Sequence, residues 1–182
     1  MIIGIDLGLD GAIATLMKIE GAYSLSVYDM PTFEVRSRTR VKRELDLPAL
    51  RSLLAPNAHQ TRFAVLEIIS TRPGYGLRAA LTAGYGWGAV EGLLAALNIG
   101  VHRVSPVRWK KVMLADMGRD KDASRFKATQ VFPNSAELFS RRCDHGRAEA
   151  ALLALYGSPI YPGSPVPTTC LPTESPMRRG DD

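Results

Sequence analysis

Cysteine is nearly missing from this chain: Cys143 and Cys170 are the only two among 182 residues, too few for a disulfide framework. Long uncharged apolar runs are missing as well. None approaches the roughly 20 residues that a membrane helix needs, so a spanning protein is excluded and no membrane partner is expected. The chain does not open with the basic, apolar and cleavable stretches of a secretory leader, which makes cytoplasmic residence the expectation. Neither an internal repeat nor a heptad run is present. What remains is 46% hydrophobic residues, enough for the core of one compact domain and too little chain for a two-domain enzyme. A formal net charge of +5 is compatible with a polyanionic partner without requiring one.

The apolar, β-favouring runs Met1 to Leu9 and Ala12 to Ile19 are broken by Asp10-Gly11, and Tyr23 to Tyr28 alternates polar and apolar residues. This pattern predicts a three-stranded antiparallel meander. From Glu34 to Asp46 the chain is rich in Arg36, Arg38, Arg40, Lys42 and Arg43 and reads as a mobile basic loop. A helix is expected over Leu47 to Leu54, with Pro48 in its first turn, then a strand over Phe63 to Ile69. A long helix around Leu81 to Leu97 and a short strand at Gly100 to Val104 follow. Helices are expected after Pro106, across Ala123 to Val131 and from Arg147 to Tyr156. Residues 158–182 hold six of the twelve prolines and read as a disordered tail beyond a 1–157 domain.

Three segments place acids where they are costly. Asp6 lies within Ile2-Ile3-Gly4-Ile5-Asp6-Leu7-Gly8 and Glu67 within Ala64-Val65-Leu66-Glu67-Ile68-Ile69, both otherwise suited to burial. Asp144, His145 and Glu149 gather at the start of the last helix. Oxygen ligands so gathered hold Mg²⁺, and two ions about 4 Å apart can activate water and stabilise a leaving oxygen in phosphodiester hydrolysis. Each residue also has a plain structural reading: Asp6 satisfied by backbone donors, Glu67 paired with a buried arginine, Asp144 an ordinary helix N-cap, His145 solvated. His145 and Glu149, four apart, share a helix face, whereas Asp144 reaches Glu149 only from outside the helix.

Met1-Ile2-Ile3-Gly4-Ile5-Asp6-Leu7-Gly8 at the start, Val65-Leu66-Glu67 on a central strand and Asp144-His145-Gly146-Arg147-Ala148-Glu149-Ala150 before an apolar helix resemble RuvC-type Holliday junction resolvases, of the ribonuclease H-like superfamily. The resemblance covers roughly residues 1–157. It implies an α/β ribonuclease H-like fold: a mixed five-stranded sheet, three antiparallel strands then two parallel, flanked by helices. It further implies a homodimeric endodeoxyribonuclease that nicks branched DNA, four-way junctions above all, symmetrically. Two Mg²⁺ ions per site, replaceable by Mn²⁺, would be held by Asp6, Glu67, Glu149 and one of Asp144 or His145. A related RNA-processing nuclease and a non-catalytic branched-DNA-binding module are the alternatives. Two departures stand out. Glu149 occupies a place where the family more often has aspartate, moving the carboxylate by about 1.5 Å. The family's aromatic shortly after the strand glutamate has no counterpart, and Tyr75 in its glycine-flanked loop is the nearest substitute.

From Arg103 to Lys127 eight bases face three acids. Such a cluster gives salt-dependent phosphate contact, although a solvated helical face with local ion pairs produces the same pattern. Arg108, Lys110, Lys111, Lys121 and Arg125 are the candidates. By the resemblance Lys110 and Lys121 match best the lysines that line the DNA surface, while Trp109 reads as a packing residue. Arg36 to Arg43 would be an auxiliary DNA clamp. The glycines of Gly84-Tyr85-Gly86-Trp87-Gly88 weaken a helix and point to close approach, either across a dimer seam or against the helix's own sheet.

Overall fold

The computed structural model describes residues 1–19, 22–36, 38, 40–69, 76–118, 120 and 122–158. Tyr75, Lys121 and the proline-rich segment from 159 lie outside the described residues. Among the described residues seven strands and five α-helices are formed: β1 (Ile2–Asp6), β2 (Ala12–Ile19), β3 (Ala22–Asp29), β4 (Thr32–Arg36), β5 (Val41–Leu45), α1 (Leu47–Leu54), β6 (Phe63–Glu67), α2 (Leu77–Ala96), β7 (Val101–Val104), α3 (Pro106–Met113), α4 (Ala123–Val131) and α5 (His145–Tyr156). The main sheet has the order β3-β2-β1-β6-β7. Its first three strands are antiparallel, and β6 and β7 run parallel to β1, as expected.

Strand alternation sends successive side chains to opposite faces, and the core divides accordingly. Ile3, Ile5, Ile13, Ala64 and Leu66 pack with Leu50 and Leu54 of α1 and Val90 and Leu94 of α2. Ile2, Ala12, Ala14, Leu16, Phe63 and Val65 pack on the other face with α5, Trp109 and Met113 of α3 and Ala128 of α4. Burial on both faces explains the near-continuous apolar sequence of β1 and β6. From Ala150 to Tyr156, α5 is buried at every residue. Its alanines let it come very close to β1: a Cβ on Gly4 would lie 2.1 Å from the Ala150 carbonyl oxygen and 2.4 Å from the Ala154 nitrogen. No helix among the described residues is long and apolar enough to cross a membrane.

The basic stretch expected as a loop is instead a hairpin. β4 and β5 pair antiparallel from Thr32↔Leu45 to Arg36↔Val41 and form a two-stranded sheet of their own. Phe33 and Val35, two apart, and Val41 supply the β-favouring pattern that the surrounding charges mask. The long helix starts four residues earlier than expected, at Leu77, and α5 begins at His145 rather than Arg147.

Candidate active site

Parity along the strands decides where the acids point. Asp6 shares the α5-facing parity of Ile2 and Gly4, and Glu67 that of Phe63 and Val65. Because β1 and β6 are parallel neighbours with Ile5 opposite Leu66, Asp6 and Glu67 stand side by side where both strands end. The first turn of α5 closes over them. A Cβ on Gly146 would lie 3.0 Å from Asp6 Oδ2 and 2.6 Å from the Asp10 carbonyl oxygen, so only glycine lets the helix start this near. Glu149 is one turn further along α5.

Electrostatics report the same convergence. Burial, followed by the negative charges of Glu149 and Glu67, pushes the Asp6 carboxyl up to about 7, and the Lys110 ammonium opposes the rise. Two consecutive residues of α3 hold the other two acids. Trp109, fully buried, donates its indole N–H to Glu67 Oε2 at 2.5 Å, and Lys110 Nζ donates to Glu149 Oε1 at 2.8 Å. The Ser124 hydroxyl of α4 donates to the same Glu149 oxygen at 3.2 Å. The Lys110 ammonium also lies 5.1 Å from the centre of the Trp109 ring, a cation–π contact. Sequence reading did not foresee Trp109 and Ser124 in this site, because neither type at its spacing from an acid carries a signal.

The choice left open between Asp144 and His145 has a structural side. Asp144 is 1% exposed and is grasped by Arg141: Nη2 and Nε donate to Oδ1 at 2.7 and 3.0 Å, and the Arg141 backbone N–H donates to Oδ2 at 2.8 Å. Burial acts to raise its pKa, but the Arg141 hydrogen bonds prevail and hold it below the ordinary carboxylate range. Asp144 is thus engaged by Arg141, and the charges acting on Asp6 are those of Glu149, Glu67 and Lys110. His145 is exposed, at the first position of α5 beside Gly146 and one turn before Glu149. Arg147 gives Asp29 two hydrogen bonds of 2.6 Å that keep the Asp29 carboxyl low, and its Nε also lies 3.8 Å from Asp144 Oδ1.

The basic candidates separate in the same manner. Arg108 and Lys111 are exposed on α3, next to the acid cluster that Lys110 enters. Arg125 departs from the expected surface role. Its guanidinium is bound by Asp122 at 2.8 Å and by the carbonyls of Phe139 and Ser140 at 3.0 and 2.8 Å, tying α4 to the turns that follow it. Arg36 makes an exposed pair with Glu34, and Arg43 with Asp10, whose carbonyl touches Gly146. Arg38, Arg40 and Lys42 are exposed.

An all-oxygen donor set around a carboxyl that ionises reluctantly suits a hard divalent cation, whose charge would remove the repulsion that Glu67 and Glu149 impose on Asp6. Among the described residues, no three His, Cys, Asp or Glu side chains already converge on one ion-sized point, since Lys110 and Trp109 draw Glu149 and Glu67 toward α3.

No protein-family profile matches the chain. It is 26% identical over 152 residues to the chloroplastic Holliday junction resolvase MOC1 of Chlamydomonas reinhardtii. That alignment takes in 74% of this chain but 17% of the relative, so the chain spans only a small part of the curated protein it matches. The fold is that of RuvC. A Thermus thermophilus RuvC structure superposes with a TM-score of 0.55 at 16% identity, over 85% of this chain and 90% of that one. The T. thermophilus RuvC in complex with Holliday junction substrate does so with a TM-score of 0.53 at 15% identity, over the same shares of each chain. The resemblance read from three short motifs therefore extends to an alignment over 74% of the chain and to a fold shared over 85% of it.

Proposed function

We propose that this chain is a divalent-metal-dependent endodeoxyribonuclease that nicks four-way DNA junctions symmetrically, as a dimer. The observation that carries this is the convergence of Asp6 and Glu67, at the ends of adjacent parallel strands, with Glu149 on the helix that closes over them, in a RuvC fold. The likeness to a curated Holliday junction resolvase and to a RuvC with junction substrate supplies the substrate class.

Asp6, Glu67, Glu149 and His145 would hold two Mg²⁺ ions, for which Mn²⁺ would substitute. His145 takes the place left open because it shares the Glu149 face, whereas Asp144 is engaged by Arg141. Bound there, the ions would supply an acidified water and neutralise charge on the scissile phosphate. The chain's own residues set the geometry: Trp109 orients Glu67, and Ser124 orients Glu149. Lys110, whose ammonium donates to Glu149 beside the acid cluster, has the position and charge to steady the phosphate. Arg108 and Lys111 on the exposed face of α3 would contact flanking phosphates. Tyr75 and Lys121 remain candidates for the junction surface.

A dimer is supported by α2. Leu77, Leu81 and Tyr85 are 79%, 66% and 72% exposed, and Gly84, Gly88 and Gly92, which continue that face, have open space where a Cβ would stand. Such a stripe lets a second copy's helix approach closely, and two sites related by a two-fold axis match two symmetric nicks.

The test is cleavage of a labelled four-way junction beside linear duplex and an RNA/DNA hybrid, with and without Mg²⁺, by the wild type and Asp6→Asn. Paired nicks in the junction alone, lost in the variant and without metal, are expected. Cutting of the hybrid instead would replace this reading with an RNA-processing nuclease, and tight junction binding with no cutting under any condition would leave a binding module.

A further inference from the structure

The β4–β5 hairpin is hard to explain as part of the core. It is a two-stranded sheet separate from the main one, and isolated hairpins are marginal in water unless something packs on them. Its root is held to the rest of the chain. The Asp46 N–H donates to the Pro31 carbonyl at 2.9 Å and the Met30 N–H to the Gly11 carbonyl at 3.0 Å, while Leu45 packs against Gly86 of α2. Arg43 adds its ion pair with Asp10. Beyond the root, Phe33, Val35 and Val41 are exposed at 46%, 37% and 59%, and the Arg36 side chain at 79%. Five bases and two acids fall between Thr32 and Leu45. An apolar ribbon edged with arginines is thus left without a cover from the rest of the described chain.

Its position narrows the partner. The root is joined to Asp10 and Gly11, and Asp10 touches the start of α5 beside Asp6. Whatever the ribbon binds therefore lies next to the acid cluster. Five residues of strand extend about 17 Å, enough to reach across several phosphates of a duplex. The excess of positive charge favours a polyanion over a second copy of this equally basic chain.

We propose that the hairpin is a second DNA-contact element that grips a duplex arm beside the cleavage point, with Arg36 and Arg38 on phosphates, and so favours branched over linear DNA. Here the role extends the reading of the chain as a junction nuclease: a linear duplex would engage the acid cluster or the ribbon, whereas a junction offers arms to both.

Binding of the full-length protein to a labelled four-way junction and to one linear arm, in Ca²⁺ and across a salt series, tests this. Arg36→Ala/Arg38→Ala is compared with Lys18→Ala/Arg51→Ala, which removes equal charge from exposed positions elsewhere. The hairpin variant should bind the junction about ten-fold more weakly at physiological salt, with a salt slope smaller by about 2 and reduced preference over the linear arm. Unchanged binding, or an equal loss in both variants, would overturn the proposal. So would a loss accompanied by dissociation in sedimentation velocity, which would make the ribbon a contact between protomers. Because binding is read without cleavage, a wild type that grips the junction through the ribbon yet never cuts would overturn the nuclease reading and leave this one standing.

Discussion

The indole N–H of Trp109 meets the Glu67 carboxylate at 2.5 Å from a fully buried position on α3. A carboxylate at a strand end would otherwise sample several rotamers, and the indole fixes one of them. Trp109→Phe keeps most of the packing and removes the donor. Cleavage should fall about 10- to 100-fold with only a small loss of stability. Single-turnover rates alongside thermal melts check this, and an unchanged rate would show the hydrogen bond to be structural only.

Lys110 holds the carboxylate that a metal would need, so the two would compete for Glu149. The ammonium occupies one carboxylate oxygen at 2.8 Å, so Lys110→Ala should bind Mn²⁺ more tightly while cutting more slowly. Metal titration by calorimetry and cleavage at saturating metal should move in opposite directions. If affinity falls with rate, the lysine is not a competitor.

The Asp6 carboxyl is pushed up to about 7 from an ordinary 3.8 by burial and by Glu149 and Glu67. Between those values the native state holds a proton that the unfolded chain has released, so the metal-free protein loses stability as pH rises through that window. Asp6→Asn removes the penalty. It should abolish cleavage yet stabilise the metal-free protein by about 1–2 kcal/mol at pH 8, with little gain at pH 4. Melts at both pH values decide it; equal shifts would point to packing rather than charge.

Asp144 and His145, adjacent in sequence, should respond oppositely. Asp144→Asn weakens the charged contact with Arg141 in a buried setting and should lower the melting temperature while leaving metal affinity nearly intact. His145→Ala, at an exposed position, should leave the melt unchanged and reduce cleavage by at least about ten-fold. The reverse pattern would make Asp144 the ligand.

Leu81→Glu on the exposed face of α2 should yield a monomer in sedimentation velocity and uncouple the two nicks, so that single-nicked junctions accumulate. A dimer that persists would place the interface elsewhere.

Much of this was legible in the sequence because alternation is a strong signal. The apolar runs around Asp6 and Glu67 announced central strands, and parity alone then aims both acids at the α5 face. The hairpin was hidden for the opposite reason: Arg36, Arg38, Arg40, Lys42 and Arg43 drown the short alternation of Phe33 and Val35. Arg125 looked like a surface base because two of its three partners are backbone carbonyls, which have no sequence signature. The same holds for Trp109 and Glu67, whose pairing spans 42 residues and arises only when α3 is laid against β6.

At Gly4 the strand and α5 meet backbone to backbone, with no side chain between them. A spacing set by main-chain atoms has no rotamers to adjust and no methylene to trim, so it behaves as a machined seat rather than a cushioned one. Asp6 lies two residues beyond that seat on the strand, and Glu149 immediately before Ala150 on the helix. Drift elsewhere in the chain can alter the surface around the site, while the gap between these two acids keeps its dimension. A substitution at Gly4 would open that gap without touching either acid.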